Sequence, residues 1–281
     1  MRKFIYDKYT IKKEEEQILF GKLGELKEGY NMLTEMTGQH KDMLMDIGIY
    51  KMFSGKREIL IDDEKETAIL LLEGKVRLEW ENNIAEIHRI SIFEEEPWCL
   101  HVAKRVTVHV TALDDSEILV QKTNNDIKFK SKLYVPDDCK SVVAGDGVWE
   151  GTAKRVIRTI FDYENAPYSN MVIGEVISYP GRWSSYPPHH HDQPEVYYYR
   201  FDKPQGFGCA MVGEDAYRVV DNSFITIPGE LDHPQSTAPG YAMYFCWMIR
   251  HLDQNPWTDR IMEEEHKWLL EPNAKIWPKK E

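Results

Sequence analysis

Short apolar stretches separated by polar turns recur along this chain of 281 residues. An apolar run at 67–72 is followed by Gly74 and an alternating stretch to residue 80, which predicts a buried strand, a glycine turn and a second strand. Residues 105–113 alternate between apolar and polar side chains, and residues 117–120 follow an Asp-Asp-Ser turn. These short strands predict an antiparallel sandwich or barrel and argue against a fold of alternating strands and helices.

The same strand pattern returns in the second half, after a glycine-rich break. Residues 140–152 contain three glycines and little periodicity, so we place a boundary there and predict domains at 1–145 and 146–281. Strands are predicted at 155–161, 171–178, 195–201, 217–220, 223–227 and 241–249. Apolar residues within 258–270 predict a short C-terminal helix. Two halves of similar texture are what a duplicated β domain would produce.

Composition and charge narrow the range of partners. Hydrophobic residues make up 42% of the chain and charged residues 29%, which is typical of a globular protein. The 35 basic and 47 acidic residues give a net charge of −12. Such a chain repels nucleic acids and anionic membranes, but local arginines can still hold a small anion. The charged run at 12–17 is interpreted as a solvated turn or helix start.

The sequence also predicts a cellular compartment. It contains no stretch approaching the roughly 20 apolar residues of a membrane span, and its first residues lack the apolar segment of a secretory signal. The cysteines are far apart and form no Cys-x-x-Cys pair, which indicates reduced thiols. They are Cys99, Cys139, Cys209 and Cys246. We therefore expect a cytoplasmic protein that binds neither a membrane nor nucleic acid.

One segment, 181–199, carries the candidate chemistry. Side chains alternate along a strand, so His189 and His191 project from one face and His190 from the other. Glu195 begins the next predicted strand. If the two strands pair, the His-x-His-x₃-Glu pattern presents two imidazoles and one carboxylate to the same point, which is a metal-ligand arrangement.

A fourth ligand is available further along the chain. Residues 225–234 predict a strand and a Pro-Gly turn that ends at His233. Three imidazoles and one carboxylate suit Zn, Fe, Mn or Ni and leave positions open for substrate oxygens. The alternative is that three consecutive histidines form a surface tract. The combination with Glu195 and the later Pro-Gly…His motif favours the metal site.

At this level of detail the sequence resembles a known family. The His-x-His…Glu and Pro-Gly…His motifs resemble the two signatures of the cupin superfamily. The wider text resembles the 5-deoxy-glucuronate isomerase family of myo-inositol catabolism, most closely over about 151–250. The similar segments are Gly-Glu-Val at 174–176, Trp-Ser-Ser-Tyr-Pro-Pro-His-x-His-Asp at 183–192, Glu-Val-Tyr-Tyr-Tyr-Arg-Phe at 195–201 and Pro-Gln-Gly-Phe at 204–207.

The resemblance implies an all-β bicupin, with two cupin-like β-barrel or jelly-roll domains and a short C-terminal helix. It implies that a divalent metal is bound by His189, His191, Glu195 and His233, with Zn favoured and Mn, Fe or Ni as alternatives. The N-terminal half resembles the family only in texture and lacks a His-x-His-x₃-Glu motif, so we expect it to be free of metal. It does contain His88, His101 and His109.

The implied reaction is an aldose–ketose isomerisation that converts 5-deoxy-glucuronate to 5-dehydro-2-deoxy-gluconate. A proton moves between neighbouring carbons through an enediolate, so the site must stabilise charge on two oxygens and hold a base. The partner is then a small anionic sugar acid, and a homo-oligomer is expected by analogy with the family.

The sequence leaves the catalytic base open. Tyr197 and Tyr199 share the face of Glu195, although a phenol with a pKa near ~10 is a weak base. Glu175, on an earlier strand, is the carboxylate candidate, and its alternative role is that of a surface residue. A hydroxide on the metal is a further alternative.

The substrate carboxylate requires a cation. Arg158, Arg182 and Arg200 are the local candidates, because a guanidinium binds a carboxylate with two hydrogen bonds. Each of the three has a surface role as its alternative. Gln205 could donate hydrogen bonds to sugar hydroxyls or simply shape a turn.

Three other functions remain open. A 4-deoxy-hexosulose-uronate ketol-isomerase of pectin breakdown would share the metal and the reaction type. An iron-dependent cupin dioxygenase would use the same ligands, and metal analysis with oxygen uptake would distinguish it. A non-enzymatic sugar-sensing cupin would show no turnover of a deoxy uronate, and the sequence offers no helix-turn-helix-like segment to support it.

Overall fold

The computed structural model describes residues 19–139 and 141–278, so the charged run at 12–17 lies outside it. The strands of the first half are β1 Phe20–Lys22, β2 Gly29–Thr34, β3 Asp46–Met52, β4 Arg57–Leu60, β5 Lys65–Trp80, β6 Asn83–Arg89, β7 Cys99–Val102, β8 Val108–Ala112, β9 Ser116–Asn124 and β10 Lys132–Tyr134. A 3₁₀ helix at Lys41–Met43 lies between β2 and β3, and another at Pro136–Asp138 follows β10. Strands thus dominate this half, as its apolar pattern predicts.

The second half continues with strands and two more 3₁₀ helices, Trp149–Gly151 and Glu264–Leu270. The strands are β11 Ser141–Ala144, β12 Arg155–Phe161, β13 Met171–Ser178, β14 Trp183–Ser184, β15 His189–His190, β16 Glu195–Phe201, β17 Phe207–Val212, β18 Asp215–Val220, β19 Ser223–Ile227, β20 Gln235–Thr237, β21 Met243–Arg250 and β22 Ile261–Met262. Four strand predictions match β12, β13, β16 and β19 at both ends. Those at 217–220 and 241–249 overlap β18 and β21.

Antiparallel sheets form both halves. The first half builds a nine-stranded sheet along the path β10-β7-β5-β9-β3-β2, with β4, β6 and β8 attached to it. The second half builds a seven-stranded sheet in the order β1-β19-β16-β21-β13-β12-β11 and a four-stranded sheet in the order β14-β20-β17-β18. The predicted all-β sandwich or barrel is confirmed. The first strand of the described chain lies in the second half's sheet, so pairing crosses the predicted boundary at 145.

Strand β5 corrects the prediction for residues 67–80. It runs through Gly74 without a turn, and its register against β9 shifts between Leu71 and Glu73. Gly74 has a φ of 98°, and a Cβ there would lie 2.4 Å from the main-chain oxygen of Asp115. The glycine therefore accommodates a β-bulge and the close approach of a neighbouring strand. The predicted turn at this glycine is wrong, because residues 65–80 form one continuous strand.

The core divides into three clusters, one inside each barrel and one between the halves. On β13, Val176 packs inside the C-terminal barrel, while Ile173 and Ile177 pack toward the N-terminal half. On β21, Trp247 faces inward and Cys246 faces the other half. Both faces of these strands are buried, which explains their nearly continuous apolar sequences.

The C-terminal segment differs from the predicted helix at 258–270. Its first part forms the short strand β22, which pairs with β15 through Met262 and His189. Only Glu264–Leu270 is helical, and it is a 3₁₀ helix. Within the described ranges, no helix has the length and apolar character needed to cross a membrane.

Candidate active site

A cavity of about 210 Å³ opens inside the C-terminal barrel. Its apolar wall comes from inward-facing residues of three central strands, namely Ile157, Val176, Phe245, Trp247 and Ile249. Its polar wall contains His189, His191, Glu195 and His233, the four predicted metal ligands. A rigid sheet therefore surrounds a concentrated set of donor groups, which is the usual form of a small-molecule site.

Three of the predicted ligands form a tight buried cluster. Glu195 Oε2 lies 3.3 Å from His191 Nε2 and 3.2 Å from His233 Nε2. Ligand atoms of these three residues all lie within 4.8 Å of one another. The ring centroid of His189 is 5.1 Å from that of His233, so His189 borders the cluster without belonging to that tight set.

The chain brings these ligands together through a turn rather than through the expected strand pairing. Strand β15 pairs with β22 and not with β16, so the strand pairing on which the expected convergence depended does not form. The Pro-Gly turn after β19 contacts the His191 loop directly, because Glu230 N–H donates to the His191 carbonyl at 2.8 Å. A Cβ on Gly229 would lie 2.0 Å from the carbonyl oxygen of Asp192, so this approach requires glycine.

Main-chain carbonyls fix the orientation of the three cavity histidines, His189, His191 and His233. A carbonyl oxygen can only accept, so an Nδ1 that contacts one carries a hydrogen and donates it, and Nε2 of the same ring is left to face the cavity. The Nδ1 donations run from His189 to Pro187 at 2.8 Å, from His191 to Gln193 at 2.9 Å and from His233 to Leu231 at 2.9 Å. Main-chain carbonyls of this kind orient metal-ligating histidines in proteins.

Burial keeps two of these imidazoles neutral. It lowers the pKa of His189 to about 3, with the neighbouring His233 adding to the effect. Burial also lowers the pKa of His233, against the attraction of the Glu195 carboxylate. Neutral imidazoles are the form that binds a metal ion.

His190 points away from the cavity, as strand alternation predicts. Its Nδ1 lies 2.6 Å from Glu263 Oε1, on the segment that follows β22. The three consecutive histidines therefore have two different environments. His189 and His191 line the cavity, whereas His190 contacts Glu263 outside it.

The two candidate tyrosines lie at different depths. Tyr197 lines the cavity, and its hydroxyl is 3.1 Å from Ser185 Oγ. Burial raises the pKa of Tyr197, and the Glu195 carboxylate raises it further, so this phenol stays protonated. Tyr199 instead donates to Gln235 Oε1 at 2.7 Å and does not line the cavity.

Glu175 and Arg158 lie on the opposite face of their strands, so their expected places at the site are wrong. Glu175 is fully buried between the two halves, where Arg89 contacts both of its carboxylate oxygens at 2.6 and 2.8 Å. Arg158 lies 3.3 Å from the same carboxylate, and Tyr244 donates to it at 2.9 Å. Burial opposes the ionisation of Glu175, but Arg89 outweighs it and holds the pKa of this carboxyl below its usual range.

The remaining predicted substrate contacts also lie outside the cavity. Arg200 forms ion pairs with Glu117 at 2.6 Å and with Asp221 at 3.1 Å. Arg182 is half-buried and Gln205 is exposed, and neither lines the cavity wall. Their expected roles in substrate binding therefore find no support in their positions.

Other residues supply the cavity's cations instead. Arg155 projects inward from β12 together with Ile157, while Arg158 projects outward. Alternation separates the two arginines by face, but the sequence does not say which face is inside. Arg260 and Trp257 reach the cavity from the C-terminal segment. Arg260 falls within the helix predicted at 258–270, and Trp257 lies just before it, so neither was a candidate for the site.

Comparisons with known proteins place the chain in a family. The model of the KduI/IolB family matches residues 19–269, which is most of the chain. The chain belongs to the KduI/IolB family. Among curated KduI/IolB relatives, the 5-deoxy-glucuronate isomerase of Geobacillus thermodenitrificans is 28% identical over 246 residues, covering 79% of this chain and 85% of the relative. That of Bacillus subtilis strain 168 is 24% identical over 265 residues, covering 88% and 96%.

Solved structures agree with this assignment at the level of fold. An IolB-like protein from Salmonella typhimurium matches with a TM-score of 0.81 and 21% identity, over 90% of this chain and 100% of that one. Oxalate decarboxylase from Lactobacillus farciminis, in a formate complex, matches with a TM-score of 0.64 and 13% identity, over 95% and 93%. The fold is thus the two-barrel cupin fold, and the KduI/IolB family makes the chain an enzyme of the isomerase class.

Proposed function

We propose that this chain is a metal-dependent aldose–ketose isomerase that converts 5-deoxy-glucuronate to 5-dehydro-2-deoxy-gluconate. The choice of substrate is supported by curated relatives that are named 5-deoxy-glucuronate isomerase. The observation that carries the proposal is the buried cluster of His191, Glu195 and His233 on the wall of a cavity inside the C-terminal barrel. The three groups and the bordering His189 form the donor set of a divalent metal centre.

The orientation of the histidines supports a cation at this point. Because Nδ1 of His191 and of His233 each donate to a main-chain carbonyl, Nε2 of both rings faces the Glu195 carboxylate, at 3.3 and 3.2 Å. Two imidazole nitrogens and a carboxylate oxygen that converge on one buried point form a donor set for a divalent cation. The residues present therefore fit a divalent ion, with Zn first and Mn, Fe or Ni as alternatives.

A bound divalent ion would polarise the carbonyl and hydroxyl oxygens on the two neighbouring carbons between which the proton moves. The chain itself supplies a protonated phenol at Tyr197 Oη, held by Ser185 and available to donate to a substrate oxygen. Phe245 and Trp247 form an apolar wall that excludes water from the enediolate. Glu195 is the one carboxylate lining the cavity among the described residues.

The proposal is tested by incubating the purified protein with 5-deoxy-glucuronate and following the aldehyde and ketone carbons by ¹³C NMR. We expect the aldehyde signal to be replaced by the ketone signal of 5-dehydro-2-deoxy-gluconate. A chelator should stop this conversion, and one of Zn, Mn, Fe or Ni should restore it. Absence of conversion by metal-loaded protein, or oxygen consumption in place of isomerisation, would contradict the proposal.

A further inference from the structure

Two arginines on the cavity wall have no carboxylate partner among the described residues. Arg155 is 6% exposed, and its hydrogen bonds to described residues go to two main-chain carbonyls, that of Ala153 at 2.9 Å and that of Tyr186 at 3.4 Å. Arg260 is exposed at the same wall and forms no side-chain ion pair within the described ranges. A buried guanidinium without an anion is unusual, because burying a charge costs free energy unless a counter-charge compensates.

The two other arginines of the described chain that are as deeply buried, Arg89 and Arg158, follow the opposite rule. Arg89 and Arg158 share the Glu175 carboxylate, with Arg158 also 3.0 Å from Glu96. Arg200, also largely buried, contacts two carboxylates. Burial and the nearby Arg260 charge lower the pKa of Arg155 to about 10, so two cations stand close together without neutralisation. An anion placed between them would compensate the buried charge of Arg155 and reduce the repulsion between the two guanidinium groups.

The position of the pair indicates where such an anion would come from. Arg155 and Arg260 line both the inner cavity and an adjoining open groove of about 610 Å³. Arg260 immediately precedes β22, which pairs with the strand that carries His189. The two cations therefore lie at the entrance side of the cavity, next to the metal-ligand cluster.

We propose that Arg155 and Arg260 together bind the carboxylate of the substrate. Anchoring the acid at the entrance directs the other end of the sugar chain toward His191, Glu195 and His233, where isomerisation would take place. This inference rests on the proposed function in taking the anion to be a uronate. Arg155 and Arg260 take the carboxylate-binding role that the sequence suggested for Arg158, Arg182 or Arg200, because none of those three lines the cavity.

The test measures binding and turnover separately. Isothermal titration of chelator-treated protein with D-glucuronate and D-glucose compares an acid with its neutral counterpart. We expect wild-type protein to prefer the acid, and Arg155→Met and Arg260→Met each to weaken glucuronate binding at least about tenfold while leaving glucose binding unchanged. Arg182→Met is the matched control, a half-buried arginine outside the cavity, and should change neither affinity by more than about twofold.

Turnover of 5-deoxy-glucuronate by the metal-loaded variants completes the test. The two cavity variants should raise KM more than they lower kcat, because they remove an anchor and leave the reacting end untouched. If Arg155→Met fails to fold in a thermal melt, Arg155→Lys replaces it. The lysine keeps the charge but loses the two-pronged geometry, so it should still weaken binding of the acid.

The outcomes separate this inference from the proposed function. Preference for glucuronate that depends on both arginines, with no turnover of the deoxy uronate, would contradict the proposed substrate and leave the anion site standing. Equal affinity of the wild type for acid and neutral sugar, or acid binding unaffected by Arg260→Met, would overturn the anion site even if turnover is observed.

Discussion

At the residue scale, short motifs predicted which side chains lie together on the cavity wall, because a fixed spacing places residues on one face of an extended segment. Two histidines at i and i+2 share a face in any extended segment, and the cavity receives both His189 and His191 as expected. Strand alternation alone could not predict which arginine of β12 lines the cavity, because Arg155 and Arg158 lie on opposite faces of that strand. Which of them is inside depends on how β12 packs against the rest of the chain, and no local pattern records that.

The environment of His190 gives a prediction at this scale. Replacing it with alanine removes the 2.6 Å contact to Glu263 but nothing that faces the cavity. His190→Ala should keep its bound metal and turn over substrate within about threefold of wild type, with less than about 1 kcal/mol lost in the free energy of unfolding. Metal analysis and a urea melt check this. Loss of metal from the variant would show that the assigned face is wrong.

At the scale of elements, the strands that match best are those of the second half, where apolar runs end at glycine, proline or polar residues. The turn predicted at Gly74 and the helix predicted at 258–270 were wrong for different physical reasons. Gly74 reads as a turn but accommodates a bulge beside Asp115. The apolar residues of 258–270 have helical spacing, yet pairing with β15 draws Ile261–Met262 into a strand.

The Pro-Gly turn gives the prediction for this scale. A Cβ at Gly229 would collide with the main chain of Asp192, so Gly229→Ala must push apart the two loops that carry His191 and His233. We expect metal affinity to fall about tenfold or more, with about 1–3 kcal/mol lost in stability. Titration of chelator-treated protein with Zn measures the affinity.

Glu230→Ala is the matched control for this turn. Its side chain is exposed, and the hydrogen bond to His191 uses its main-chain N–H, which alanine keeps. The control should bind Zn as tightly as wild type. Equal affinities for Gly229→Ala and Glu230→Ala would show that the close approach of the two loops does not position the ligands.

At the scale of the whole molecule, the similar texture of the two halves predicted the two barrels, but not how they join. The joint contains a large apolar cluster and the fully buried ion pair between Arg89 and Glu175, residues 86 positions apart. A carboxylate in an apolar strand looks like a catalytic group in the sequence. Only the fold shows that its partner comes from the other half.

Glu175→Gln tests the role of this joint. Leaving Arg89 buried without a carboxylate should cost about 3–5 kcal/mol in the free energy of unfolding at neutral pH. The pKa of Glu175 is lowered in the folded state, so its contribution is lost as pH falls through that value, and variant and wild type should converge in acid. Urea melts at several pH values measure this difference.

The control at this scale is Glu86→Gln, which breaks the exposed ion pair with Arg77 and should leave the free energy of unfolding close to that of the wild type, because solvent screens exposed ion pairs. Both variants should retain wild-type turnover per folded molecule, because neither residue lines the cavity. A Glu175→Gln protein that is stable but inactive would restore Glu175 as a candidate base.

The most direct test of the central claim is the metal content and turnover of His191→Ala, measured side by side on the same preparation. The account predicts a folded protein whose bound divalent metal is largely lost and whose conversion of 5-deoxy-glucuronate falls below about one hundredth of the wild-type rate. Folding should survive, because the barrel core that carries the site is a separate apolar cluster. Wild-type metal content together with wild-type turnover would contradict the assignment of this cluster as the active site.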